Sequence, residues 1–489
     1  MNTQKVYEIF RQLNAIPRSS HHEEKVADFI CSYAQDLGLE YRRDSENCVV
    51  IRKAASKGCE DADTIVLLNH MDMVAVSDGS RPFDPLTDGI EAYTEDGWMK
   101  ARGTSLGADN GIGLSMALAV LADDSLVHPA LEVLTTTNEE DGMSGAANLS
   151  PDFITGRKVI NLDSEDYDTI TVGAAGACLQ TACLPVKRVP APEGLQFFDV
   201  SIRGGLGGHS GVDINKGRVN VLLALCCLLY LYRYPSVNEE QKKLYISHIQ
   251  GGNASASIPS DCTAKVGVPA GETDAFRQLL HSTFTHIASS HAGDPQLQLD
   301  IRPAACPESV MADEEIVRLI LGLPCGVIRM RDDLPDTVMT SNNIGILESE
   351  EKQVRISCHT RSFNDTEMAQ TAEEISRRFR AFGADVKVVM NTPGWQEEAG
   401  SDFLNLVGQT FKDVLGFEPR PVAMHFVLEA GYYVRKYPGI RIACIGPRII
   451  EPHSTKERVE LSTIDDIFAV LCKLLERLAH NTPEKCPQR

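Results

Sequence analysis

The sequence predicts an α/β protein with a mostly parallel central sheet, interrupted by an inserted α+β domain. Three observations predict it. Apolar runs rich in β-branched residues recur at 48–51, 64–68, Leu131–Thr136 and 158–162, with helical stretches before and between them. Strands alternating with helices build a largely parallel sheet covered on both faces. The character changes at Leu184-Pro-Val-Lys-Arg-Val-Pro-Ala-Pro192, where three prolines fall in nine residues, and the earlier style returns only after Asn391-Thr-Pro-Gly394. Finally, polar residues of one chemical kind close the early apolar runs, yet the last of the set, His453, lies 290 residues beyond Asp163. An inserted domain makes that spacing natural. The expected boundaries are 1–185 with 395–489 for the discontinuous domain and 186–394 for the insertion.

In chain order, helices are expected at 3–16 and 21–37, the second preceded by Ser19-Ser20 and followed by Gly38 as cap and stop signals. A helix at 111–122 separates the strands at 64–68 and Leu131–Thr136. Within the insertion come an alternating strand at 197–203, a glycine loop, an apolar helix over 219–232 and further strands such as 353–357. A helix at Asp402–Leu415, a strand at 440–445 and a helix at 462–480 complete the first domain. Ser462 and Asp465 form a capping box for the last helix. No internal repeat or low-complexity tract interrupts the pattern.

A chain of 489 residues exceeds one ordinary core, so two domains are expected. The net charge of −21 argues against nucleic acid or an anionic membrane as partner. The apolar stretch 219–232 falls short of the ~20 residues of a membrane span and reads as a buried helix. The first ten residues form a charged amphipathic pattern rather than a signal peptide. Fourteen cysteines are scattered without a Cys-x-x-Cys pair, as expected of reduced thiols in a cytoplasmic protein.

The residues closing the apolar runs are metal ligands by type. His70 and Asp72 follow 64–68. Asp109 sits in Gly107-Ala-Asp-Asn-Gly-Ile-Gly113, where glycines let the backbone bend before a helix. Glu139-Glu140 ends the next strand; one carboxylate can bind a cation while its neighbour takes a proton from activated water. Asp163, Glu165 and Asp166 compete as the ligand after 158–162, Asp163 lying closest to the strand end. His453 is presented by the loop after 440–445. Two divalent ions need carboxylates and imidazoles, one shared ligand and one carboxylate left free as a base. Open α/β sheets place such sites at strand ends.

The motif series Leu68-Asn-His-Met-Asp-Met-Val74, Gly107-Ala-Asp-Asn-Gly-Ile-Gly113, Thr136-Thr-Asn-Glu-Glu-Asp-Gly142, Asn161-Leu-Asp-Ser-Glu-Asp166, Gly207-Gly-His-Ser-Gly-Val-Asp-Ile-Asn215 and Pro452-His-Ser454 resembles that of the bacterial aminoacyl-histidine (Xaa-His, or cytosol non-specific) dipeptidases, a dinuclear-zinc peptidase family. The resemblance runs in order over nearly the whole chain. It implies that His70 and Asp163 bind one zinc, that Glu140 and His453 bind the other, and that Asp109 bridges. It makes Glu139 the general base acting on a water that bridges two zinc ions, Asp72 its supporting carboxylate, and His209, in a lid formed by the insertion, a donor to the scissile carbonyl. Cobalt or manganese are expected substitutes, a dipeptide the expected substrate and a homodimer through the lid the expected assembly. Arg361, Asn343 and Glu429 are candidates for substrate binding, the first two for the terminal carboxylate. The sequence departs from the family pattern at Ala430, where the family has Cys, and mildly at Asn138. The rival readings are an N-acyl amino acid deacylase or carboxypeptidase on the same site, and a non-catalytic metal-dependent binding protein.

Overall fold

The segment Ile65-Val-Leu-Leu-Asn-His70 is buried at all six positions, as is Leu131–Thr136. Burial on both faces is what a central parallel strand requires. In a computed structural model, which describes residues 3–235, 240–291, 293–397 and 400–480, these two strands pair in parallel, with Ile65 opposite Leu131 and His70 opposite Thr136. Lys158–Asn161 joins on the other side of Ile65–His70, and Arg441–Cys444 follows, both in parallel. The margins run the other way. Val49–Lys53 pairs antiparallel with Leu131–Thr136, Glu40–Arg43 pairs antiparallel with Val49–Lys53, and Thr169–Ala174 meets Arg441–Cys444 antiparallel. The sheet is therefore mixed, parallel at its centre only. Glu40–Arg43 and Val49–Lys53 are joined by a short turn, which can connect only antiparallel neighbours.

Two compact units result. One comprises Met1–Gly173, Gln396–Ala423 and Glu429–Arg489; the other comprises Ala174–Trp395 and Met424–Leu428. The division does not fall at the proline cluster. Gly176–Pro185 pairs along its whole length with Gln353–Ser362 and so belongs to the second unit. Arg188–Pro190, rather than being a linker, forms a short ribbon with Ser309–Met311. Proline fits there because such a strand has few ladder bonds to lose.

In the first unit, helix Thr3–Asn14 buries Val6, Ile9, Phe10 and Leu13, the spacing of one helical face. The next helix begins at Glu24 rather than 21, because Ser20 and Glu23 are turned to other work: the Ser20 hydroxyl donates to Asp72, and Glu23 accepts from the Asn138 N–H. Helix Ala108–Leu121 is buried at every position except Asp109. Asp402–Leu415 and Leu461–His480 pack against each other.

The second unit is an antiparallel sheet in the order Gln298–Ala304, Leu195–Arg203, Cys262–Pro269, Tyr245–Gly251, Val338–Ser349, Gln353–Ser362, Gly176–Pro185, Asp385–Thr392. The apolar segment forms helix Val221–Arg233, capped by the Asn220 side chain, which accepts from the N–H groups of Leu222 and Leu223. Its Leu225, Leu228 and Leu229 share one core with Phe276, Ile320 and Phe379 of three further helices and with Val200, Val266 and Ile356 of the sheet. No helix among the described residues is long and apolar enough to cross a membrane.

In the first unit, helix and strand end touch at Gly113, where an added Cβ would overlap the Leu162 carbonyl oxygen and the Asn110 side chain. Gly113→Ala should therefore lower stability by about 1–3 kcal/mol, the cost of overpacking, in urea unfolding. An unchanged unfolding midpoint would show that this contact constrains nothing.

Candidate metal centre

Parallel neighbours end at the same edge of the sheet, so His70, Glu139-Glu140 and Asp163 emerge side by side. Helix Ala108–Leu121 starts at that edge. Asp109 lies within its first turn but has non-helical backbone angles (φ −79°, ψ 113°), and the Asp109–Asn110 peptide is cis. The Asp109 carboxylate divides its two oxygens. Oδ1 lies 3.1 Å from His70 Nε2, and Oδ2 lies 3.1 Å from His453 Nε2. Asp163 Oδ1 stands 3.3 Å from the same His70 nitrogen, and Glu140 Oε2 stands 2.8 Å from the same His453 nitrogen. Two triads thus share one carboxylate. Ligand atoms of His70, Asp109 and Glu140 also lie within 4.8 Å of one another.

The surrounding hydrogen bonds fix each group. His70 Nδ1 is 3.2 Å from the Asp72 carbonyl oxygen, to which it donates, so Nε2 is the nitrogen turned toward the triad. Asp72 is fully buried and accepts from the N–H groups of Glu139 (3.1 Å) and Glu140 (3.2 Å). It supports the glutamate pair through the backbone. Asn110 donates to Asp163 Oδ1 at 2.5 Å. His453 has φ +57°, in the left-handed region that costs a non-glycine residue strain and is found at functional sites.

Donor chemistry and spacing fit a cation. Nitrogen and oxygen atoms that bind one zinc at tetrahedral angles stand roughly 3.3 Å apart. Glu140 Oε1 is buried without a hydrogen-bond partner among the described residues, as is Glu429 Oε1. Acidic groups crowd the centre with too little positive charge. Burial pushes the Glu139 carboxyl well above its usual range, and Asp163, Glu429 and Glu140 add to this. Burial likewise lifts Glu429 to about 8 and Glu165 to about 8. Burial raises Asp109 too, but the hydrogen bonds from His453 and His70 outweigh it and hold that carboxyl below its usual range. His453 is pushed up to about 11, first by Asp109 and then by Glu140. Burial lowers His70, but Asp163, Asp109 and Asp72 overcome that and hold it well above an ordinary imidazole.

Glu429 lies in this unit, its Oε2 accepting from Thr136 Oγ1 (2.9 Å) and the Tyr433 hydroxyl (3.2 Å). In the second unit, His209 Nδ1 faces the N–H groups of Gly211 (3.3 Å) and Val212 (3.2 Å). Nε2 in turn faces the Arg361 guanidinium, which can only donate, so both ring nitrogens meet donors. Burial and then Arg361 keep that ring from charging. Arg361 is 3% exposed and touches Ser210 Oγ and His209 Nε2, each at 3.4 Å; no carboxylate pairs with it among the described residues. Burial lowers its guanidinium to about 10. Asn343 is otherwise engaged. Its amide nitrogen donates to Ser257 O at 2.7 Å, and its amide oxygen accepts from the Asn220 amide at 3.3 Å.

Two buried residues that the sequence patterns did not single out hold the centre together. Arg18, 1% exposed, donates to the carbonyl oxygens of Met71 (3.2 Å), Asp72 (3.1 Å) and Gly107 (2.6 Å). Glu457, 3% exposed, accepts from the backbone around Asp109. Glu457 stands four residues beyond His453 on the same loop, the one feature of the sequence that could have drawn attention to it.

Strand ends, paired imidazoles and a shared carboxylate define a metal-dependent hydrolase site on an α/β sheet. The chain belongs to peptidase family M20/M25/M40, whose model matches residues 66–477, and it is a metallopeptidase. It is 33% identical over 487 residues to the cytosol non-specific dipeptidase of Escherichia coli K12, covering 98% of each chain. It also resembles the crystal structure of aminoacylhistidine dipeptidase from Vibrio alginolyticus, with a TM-score of 0.92 and 30% identity over 99% of this chain and 97% of that one. Aminopeptidase PepT of Bacillus cereus shares the fold at a TM-score of 0.58 and 17% identity, over 98% of this chain and 99% of that one.

The raised imidazoles have a measurable consequence. At about pH 8 an ordinary imidazole, with a pKa of ~6.5, is already neutral and releases nothing when it binds a cation. In the metal-free protein His453, at about 11, keeps its proton until the pH passes that value, and His70 behaves in the same sense. Adding zinc to metal-free protein at about pH 8 should therefore release protons, read as calorimetric heats that change with the ionisation enthalpy of the buffer. Heats independent of the buffer would contradict the imidazole–carboxylate pairing.

Proposed function

We propose that the chain is a dipeptidase working with two zinc ions, for which cobalt or manganese are substitutes that this donor set also admits. The observation that carries the reading is the division of Asp109 between two imidazole triads. Similarity along nearly the whole chain to a cytosol non-specific dipeptidase and to an aminoacylhistidine dipeptidase supports dipeptides, Xaa-His among them, as the substrate class. His70, Asp163 and Asp109 would hold one ion, and His453, Glu140 and Asp109 the other. When bound, the ions would supply Lewis-acid polarisation of the peptide carbonyl and acidify a water.

The chain's own residues carry the protons. Glu139 takes the proton of the attacking water and passes it to the leaving amine. Its carboxylate has no hydrogen bond or ion pair among the described residues and stands in a crowd of acids, so its proton affinity is high. Asp72 aims the Glu139-Glu140 pair by accepting both N–H groups. His209, kept neutral, would donate to the carbonyl oxygen as negative charge develops there, once the substrate carboxylate engages Arg361. Arg361, buried without a carboxylate partner among the described residues, receives the C-terminal carboxylate of the substrate in a charge-assisted pair.

Glu139→Gln should keep both ions and lose roughly 10²–10⁴ in kcat, because the amide cannot accept a proton. Glu140→Gln should instead lower the bound metal, measured by elemental analysis. Exchanged phenotypes would reverse the assignment of the pair.

Arg361→Ala should raise KM for Ala-His by roughly one to two powers of ten, the worth of a lost charge-assisted hydrogen bond, and leave Ala-His amide unaffected. Substrate choice tests the class itself. A dipeptidase hydrolyses Ala-His and spares acetyl-Ala-His, whereas faster cleavage of the acetylated compound would make the protein an N-acyl amino acid deacylase.

A further inference from the structure

The aim of the Asp109 side chain is not set by its helix, since its own backbone angles are non-helical and Gly107 just before it has φ +69°. It is set by what grips the backbone. Glu457 Oε2 accepts from the N–H groups of Leu106 (2.8 Å) and Gly107 (3.0 Å), and Oε1 accepts from those of Ala108 (2.7 Å) and Asp109 (3.4 Å). Four N–H groups converging on one carboxylate resemble an anion seated at a helix N-terminus, here provided by the protein itself. From the other side Arg18 holds the Gly107 carbonyl oxygen. The loop carrying Glu457 also carries His453, and it is turned back on itself by the Glu457 N–H, which donates to Ser454 O.

We propose that Glu457 is a positioning residue of the metal centre: it clamps Leu106–Asp109 to the His453 loop, so that Asp109 and His453 keep the separation at which they share a cation. The inference rests on the two-ion reading above. It also predicts an asymmetry. The His453–Glu140–Asp109 triad draws two of its three groups from the segments that Glu457 joins. The His70–Asp163–Asp109 triad draws only one.

The test is cobalt titration of the full-length, metal-free protein, followed by visible absorption and calorimetry, with melting temperatures recorded in parallel. Glu457→Gln keeps the shape but turns one accepting oxygen into an amide donor facing N–H groups. It should weaken one cobalt ion by about 10- to 100-fold, as loss of a ligand's supporting partner does, and the other by less than about threefold. Leu474→Ala, a buried substitution in helix Leu461–His480, supplies a control that loosens the fold without touching the clamp. It should keep both affinities, and a similar split in that control would reduce Glu457 to general stability and overturn the proposal. Equal weakening of both ions by Glu457→Gln, or of neither, would also overturn it. Should Glu457→Gln fail to fold, Glu457→Asp keeps the charge, shortens the reach and carries the same titration with the same expected split. Wild-type protein binding a single cobalt ion would overturn the two-ion reading, and this inference with it.

Discussion

One carboxylate held between two imidazoles organises this protein. Asp109 faces His70 with one oxygen and His453 with the other, across a sequence separation of 344 residues to the latter. Such a group cannot be placed by local structure, because a short side chain reaches both rings only if three distant segments are fixed together. The buried groups nearby can be understood as the means of fixing them. Arg18 ties residues 71–72 to Gly107, and Glu457 ties residues 106–109 to the His453 loop. Both are buried, and the hydrogen bonds described here run from their side chains to backbone groups, which offset the cost of taking a polar head out of water.

The charge balance at the centre points the same way. Asp72, Asp109, Glu139, Glu140, Asp163 and Glu429 converge against His70, His453 and Arg18. In the protein without cations the excess appears as carboxyl groups pushed up, Glu429 to about 8, and as imidazoles that hold their protons. A cluster of this kind favours divalent cations, and that preference follows from the side chains alone. The buried acceptor Glu140 Oε1, without a hydrogen-bond partner among the described residues, is the local expression of the same deficit.

Much of this was legible in the sequence because strand ends announce themselves. Leu131–Thr136 and Asp402–Leu415 form where their patterns place them, and His70, Glu140 and Asp163 follow from closing apolar runs with ligand-type residues. The 290-residue gap before His453 called for an insertion, and Arg441–Cys444 does pair beside Lys158–Asn161. What stayed hidden depended on partners. The proline cluster resembled a linker, yet Gly176–Pro185 just before it is bound by a full ladder to Gln353–Ser362, a pairing that composition does not encode. The bonds of Asn343 to Ser257 and Asn220 are likewise not readable from composition. Arg18 and Glu457 carry no periodicity or motif, since their meaning lies in backbone groups tens to hundreds of residues away.

The central claim is that Asp109 serves two cations at once. Crystals of zinc-loaded protein, with diffraction recorded on both sides of the zinc absorption edge, test it most directly. The account predicts two anomalous peaks about 3.5–4 Å apart with one Asp109 oxygen on each. One peak should lie beside His70 and Asp163, the other beside His453 and Glu140. A single peak, or two peaks with both Asp109 oxygens on the same ion, would contradict it.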